Sequence, residues 1–317
     1  MSTNRRGRRS KPKRLGSELR QATSTLPQAP PRKVAIVDWG IQRDHQALVG
    51  QPLEGHSVIA PETDFRDDDG HGTLLAGTVA GIANGFRCAL KVASPAPAIE
   101  LLAVKFIDVL TPPMSDNAAK AIRYAVKNGA RIINASWDVG LNSAALRSAI
   151  ADASERALVV VAAGNNGGNN DEYRTFPANV RLPNVISVMA TDLGEEDDKP
   201  WFSNYGRETV DIAAPGVDII STSPYLVPSN YDYLGYRAYS GTSAAAAQVS
   251  GAAAVLQLIK PDWKPKEIRD CLVNSVDHIP GLDRYCRARG RLNLCNAVTA
   301  ALKMSRSPSG TSHSFWR

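Results

Sequence analysis

The chain has 317 residues, 43% hydrophobic and 21% charged, which fits a globular protein able to bury a sizeable core and excludes disordered, collagenous and disulfide-dense classes. Its net charge of +6 is concentrated: residues 1–14 hold seven Lys and Arg and no acid, so the rest of the chain sums to −1. A basic nucleic-acid-binding face on the folded body is therefore not expected.

Residues 1–32 read as a basic, Pro-rich N-terminal arm, stiffened by Pro27, Pro30 and Pro31. Its charge run at residues 5–14 is either a solvated segment or a contact for nucleic acid or another polyanion. No apolar stretch follows the basic residues, so no secretory signal is read. The expected location is intracellular, in the cytoplasm, with the nucleus as the alternative that a basic arm could specify.

The body, 33–302, alternates strand and helix patterns. Val34–Val37 reads as a buried strand, Gly72–Ala83 as a helix, Ile99–Val104 as a strand and Asp116–Asn128 as an amphipathic helix. Strand Ile132–Ala135, helix Ser143–Glu155 and strands Leu158–Ala163 and Val185–Ala190 follow. Thr242–Ile259 is a long Ala-rich helix and Lys264–Leu272 a second, with Pro265 in its first turn. Such alternation implies an α/β fold with a mostly parallel sheet covered on both faces. Chemistry in these sheets lies beyond the carboxyl ends of the strands. Residues 303–317 read as a flexible tail. No run approaches the roughly 18 apolar residues of a membrane span. Cys88, Cys271, Cys286 and Cys295 form no C-x-x-C pair. Reduced thiols are expected rather than a zinc site or structural disulfides.

Four motifs stand at strand ends. Asp38 follows Val-Ala-Ile-Val and precedes Trp39-Gly40; it is a turn residue or an acid placed for chemistry. His71 lies in Asp69-Gly-His71-Gly-Thr73, at the mouth of a helix and stripped of neighbouring bulk by two glycines. Asn165 ends Val-Val-Val-Ala-Ala163-Gly164 and is either a turn residue or an amide donor. Ser243, in Tyr239-Ser-Gly-Thr-Ser243, begins the Ala-rich helix as a cap or as a nucleophile beside the positive helix end. Together they supply acid, base, oxyanion donor and nucleophile, with the first, second and last in the order Asp, His, Ser.

On these residues the chain resembles the subtilisin-like serine proteases. Ile133-Asn-Ala-Ser136-Trp137, Phe176-Pro-Ala178, Phe202-Ser-Asn-Tyr-Gly206, Ala213-Ala-Pro-Gly216 and Gly290-Arg-Leu-Asn293 extend the similarity over 33–302. The resemblance implies a three-layer α/β/α fold and a serine endopeptidase acting on protein or peptide substrates as a monomer, without a membrane. Asp38, His71 and Ser243 would be the triad, and the Asn165 amide with the Ser243 N–H the oxyanion hole. Ser136, Trp137, Asp138, Ala163 and Gly164 would bind substrate. The arm is too short for the folding prodomain of secreted relatives, so either the core folds unaided, the preferred expectation, or the arm acts as a brief inhibitory segment, as in intracellular relatives.

Departures are visible as well. Ala47 stands where the family's best-known calcium site takes an Asp, so no cofactor and no metal site are expected. Trp39 replaces a small residue after the acid, Leu74 a second His, and Ala247-Gln248 a Pro-His pair. Asp138 occupies a place near the primary pocket where glycine is usual, and Pro112 and Pro113 fall near the edge segment that pairs with substrate. These suggest narrow specificity, with Asp138 either favouring a basic residue before the cut or standing as a solvated rim residue.

Overall fold

The computed structural model describes residues 31–89, 99–111, 115–140, 143–192, 198–224 and 234–304. The arm segment 5–14, Pro112 and Pro113 lie outside them.

Nine strands form one sheet in the order β10-β11-β7-β6-β5-β4-β1-β3-β2. The strands are β1 (Arg32–Asp38), β2 (Leu53–Ser57), β3 (Ile99–Lys105), β4 (Ile132–Ala135), β5 (Leu158–Ala162), β6 (Val185–Thr191), β7 (Ile212–Pro215), β10 (Asp277–His278) and β11 (Gly290–Arg291). All pair in parallel except β10 with β11. A separate antiparallel pair joins β8 (Ile219–Thr222) to β9 (Tyr236–Tyr239).

The helices are α1 (His71–Ala89), α2 (Ser115–Lys127), α3 (Ala144–Asp152), α4 (Thr242–Ile259), α5 (Pro265–Val273) and α6 (Leu294–Met304). The period of a strand divides them into two layers. Val34 and Ile36 of β1 join one core cluster with residues of α1, α4, α5 and α6. Ala35 and Val37 join the opposite cluster with residues of α2 and α3. The result is the expected three-layer α/β/α arrangement. Strand order reverses between β1 and β4, and that switch point places the carboxyl ends of both strands beside one crevice.

Helix α4 corrects one expectation. By length and mean hydropathy (1.3) it would suit a membrane span, although 83% of that stretch is buried inside the domain. Its Ala and Gly content lets neighbours approach from every side, so it is apolar because it is the central core helix. The ends of the body also move slightly: β1 begins at Arg32, and α6 runs past 302 to Met304. Cys271, Cys286 and Cys295 are free thiols.

Candidate active site

Asp38 is the last residue of β1 and is fully buried. Its Oδ1 accepts from the Trp39 N–H at 3.0 Å and from His71 Nδ1 at 2.8 Å. The bond through Nδ1 leaves Nε2 as the free ring nitrogen. The imidazole itself keeps 17% of its side-chain surface open, at the first turn of α1. Gly72 allows this approach: a Cβ there would lie 2.1 Å from the Gly40 carbonyl oxygen. Burial pulls the His71 pKa down. The charge and hydrogen bond of Asp38, with Asp69 and Asp67 behind it, outweigh burial and raise the pKa above its ordinary value.

A second buried carboxylate holds the loop that carries His71. Asp67 Oδ1 accepts from the Gly70 N–H at 2.8 Å and the Asp69 N–H at 3.1 Å. Its Oδ2 accepts from the Thr73 N–H at 2.7 Å and the Thr73 hydroxyl at 2.6 Å. Thr73 Oγ1 in turn accepts from the Gln42 N–H at 2.9 Å, tying the loop after Asp38 to the helix that starts at His71. Burial raises the Asp67 pKa against the pull of these bonds, and the nearby Asp38 adds to the rise.

Ser243 lies in the first turn of α4 and is 4% exposed. Its N–H is one of the early helix donors that have no acceptor within the helix. Its hydroxyl lies 3.2 Å from the carbonyl of Ser136, the residue after β4, to which it donates. The Tyr239 ring packs edge-on against His71, centroids 5.8 Å apart. Burial raises the Tyr239 pKa, and a contact with the Ser243 hydroxyl opposes the rise.

Asn165 is fixed by its acceptor end. Its Oδ1 accepts from both the N–H and the hydroxyl of Thr242, each at 2.9 Å. A backbone N–H can only donate, so the Oδ1 assignment is forced and Nδ2 is the end left for a ligand. Thr242 Oγ1 also accepts from the Gly164 N–H at 3.2 Å. Gly164 has φ +114°, and a Cβ there would meet Asn204 Nδ2 at 2.5 Å. Beside Asn165 a cleft of about 530 Å³ opens, walled by Trp201, Phe202, Val217 and Ser240. Trp201 is 86% exposed there.

The structure brings together Asp38 and His71 at one point and Ser243, Ser136 and Asn165 at the next. It does not treat the other expected substrate contacts alike. Trp137 turns into the core, packs on Phe106 at 4.9 Å and donates its indole N–H to the Val37 carbonyl at 2.8 Å. Ala163 has its N–H bonded to Val188 and its carbonyl to Asn170 Nδ2. The Gly164 carbonyl accepts from Asn204. Both N–H donors are committed, so a substrate strand would meet only the second lone pair of each carbonyl. Asp138 is exposed, with Oδ1 accepting from the Gly140 N–H at 2.7 Å.

The departures are absorbed by packing. Leu74 and Ala247 are fully buried in the core, and Gln248 donates to the Pro215 carbonyl at 2.8 Å. Asp67, Thr73, Thr242 and Tyr239 were not singled out from sequence. An acid four residues before His71, and a Thr next to Ser243, were the signals available. Ala47 offers a methyl group, and its N–H is bonded to His45 Nδ1. No group of three or more Cys, His, Asp or Glu side chains suited to a metal occurs among the described residues. The Ala47 side chain supplies no oxygen to a cation.

Residues 32–297 match the family model described as the subtilase family. The chain is 35% identical over 269 residues to a thermophilic serine proteinase of Bacillus sp. (strain AK1), covering 84% of this chain and 62% of that protein. It is 34% identical to thermitase of Thermoactinomyces vulgaris, covering 84% of this chain and 88% of thermitase. Among solved structures, fervidolysin from Fervidobacterium pennivorans superposes with a TM-score of 0.71 at 28% identity, over 84% of this chain and 42% of that one.

Proposed function

The chain belongs to the subtilase family of serine endopeptidases, and from that premise we propose that it cleaves peptide bonds through Asp38, His71 and Ser243. The observation that carries the reading is the 2.8 Å bond from His71 Nδ1 to a fully buried Asp38, while the imidazole keeps 17% of its side-chain surface exposed. Asp38 fixes the tautomer, so Nε2 is the base.

The Ser243 hydroxyl turns from the Ser136 carbonyl towards Nε2, gives up its proton, and Oγ attacks the peptide carbonyl carbon. The carbonyl π electrons move onto oxygen. Asn165 Nδ2 and the Ser243 N–H donate to that oxyanion. The tetrahedral centre collapses, the C–N bond breaks, and the imidazolium of Asp38-held His71 protonates the leaving amine. Water, deprotonated by the same nitrogen, then hydrolyses the acyl-enzyme and regenerates the hydroxyl. A side chain of the bound peptide lodges in the cleft beside Asn165, where Trp201 and Phe202 form an apolar wall and Asp192 adds an acidic group.

The enzyme is read as metal-free, monomeric and active on intracellular protein or peptide substrates. The free state of Cys271, Cys286 and Cys295 supports a reducing compartment. Unfolded casein incubated with wild type and with Ser243→Ala tests the reading. Peptide release by wild type alone is expected. Equal release by both, or none by a folded wild type, would overturn it.

A further inference from the structure

Asp67 lies outside the triad, yet both of its oxygens are committed to the loop that aims His71. Two donors, the Gly70 and Asp69 N–H groups, precede the imidazole, and the N–H and hydroxyl of Thr73 follow it. The loop is thus closed around one carboxylate that is 2% exposed. Thr73 passes the constraint on in two directions. Its Oγ1 holds the Gln42 N–H of the segment after Asp38, and its carbonyl accepts from the Thr222 hydroxyl at 2.6 Å. A shift of Asp67 would therefore move His71 and the Asp38 segment relative to each other.

We infer that Asp67 is a positioning residue for His71, acting through the loop it closes and through its own charge. The inference rests on the proposed triad. Its charge adds to those of Asp38 and Asp69 in stabilising the imidazolium. The other charged groups around it are accounted for. Lys105 of β3 donates to the Arg66 carbonyl at 3.0 Å and pairs with Asp68 at 2.9 Å, steadying the approach to the loop. Arg237 of β9 brings Nη2 to 3.4 Å from where a Gly70 Cβ would stand. Neither cation bonds to the Asp67 carboxylate, whose acceptors are filled by the loop.

Asp67→Asn separates the two roles from mere folding. The amide is nearly the same size, but its NH2 end opposes the Thr73 N–H, and the charge is gone. The readout is the rate of phosphonylation by a fluorophosphonate, resolved into kinact and KI across pH. Labelling of wild type at Ser243 establishes the nucleophile first, so failure there is distinct from failure of this inference.

Expected for a folded Asp67→Asn is a kinact lower by about tenfold with KI within about twofold. The acid limb of kinact moves down by roughly half a pH unit, because a nearby negative charge no longer stabilises the imidazolium. Thr73→Val is the companion. It keeps the charge and removes the hydroxyl, so kinact falls several-fold while the limb stays in place. A folded Asp67→Asn whose acid limb does not move overturns the inference, whatever its rate. If Asp67→Asn does not fold, Thr73→Val decides: an unchanged kinact overturns it and a several-fold loss with an unmoved limb supports it.

Discussion

Replacing Thr242 by Val tests whether the Asn165 amide is aimed by its neighbours. Val keeps the shape and the backbone N–H of residue 242. It removes the hydroxyl that donates to Asn165 Oδ1 at 2.9 Å and accepts from Gly164 at 3.2 Å. One of two bonds holding Oδ1 is lost, worth about 1 kcal/mol net. That corresponds to roughly fivefold less of the aligned amide, so kinact for a fluorophosphonate falls about fivefold with KI unchanged. Asn165→Ala removes the donor itself and costs about 10²–10³ in rate, a range borrowed from subtilisin. The effects are not independent. In the Asn165→Ala background, Thr242→Val has no amide left to misalign and lowers the rate no further. Stability behaves differently, because the orphaned Gly164 N–H costs about 1–3 kcal/mol in either background. A fivefold rate loss from Thr242→Val that persists without Asn165 would refute the reasoning, as would no loss at all.

The raised pKa of His71 sets the pH behaviour. The rate of phosphonylation rises with pH through a midpoint above about 6.5, the ordinary histidine value. The same shift stabilises the fold below that unfolded-state value, and the contribution is lost as pH rises through the raised one; urea midpoints between pH 5 and 9 measure it. Arg269 pairs with Asp211 at 2.5 Å and donates Nε to the Val185 carbonyl at 2.7 Å, both side chains largely buried. Arg269→Ala leaves Asp211 with the Ser187 N–H at 2.9 Å and Arg287 at 3.6 Å, and lowers stability by about 1–3 kcal/mol in thermal unfolding, with the rate of the folded fraction unchanged. Asp138 keeps its basic-residue role only if Asp138→Asn weakens cleavage after Lys and Arg in a peptide library. An unaltered profile leaves it as the cap of its own turn.

The long apolar strands and the helices beside them were legible because their hydrophobic periods are strong: β1, β4, β5 and α4 fall where the pattern put them. Strand β2, Leu-Glu-Gly-His-Ser, has no such period, since it lies at the sheet edge with only Ser57 fully buried. The positions proposed for the triad stood out because each sits at a strand end or helix mouth flanked by small residues. The groove was less so. Trp137 continues the alternation of Ile133 and Ala135, all three in one core cluster, and that period pointed inward rather than to a substrate. Asp67 belongs to a run of three acids, a pattern that reads as solvated charge. Only the turn through Gly70 brings donors from both sides of His71 onto it.

The most direct test of the central claim is fluorophosphonate labelling of the intact chain, with the adduct located by mass spectrometry. One phosphonyl group per chain on Ser243, absent in Ser243→Ala and slowed in Asp38→Asn, is the predicted result. A folded wild type that takes up no label, or takes it elsewhere, would contradict the assignment of Ser243 as the nucleophile.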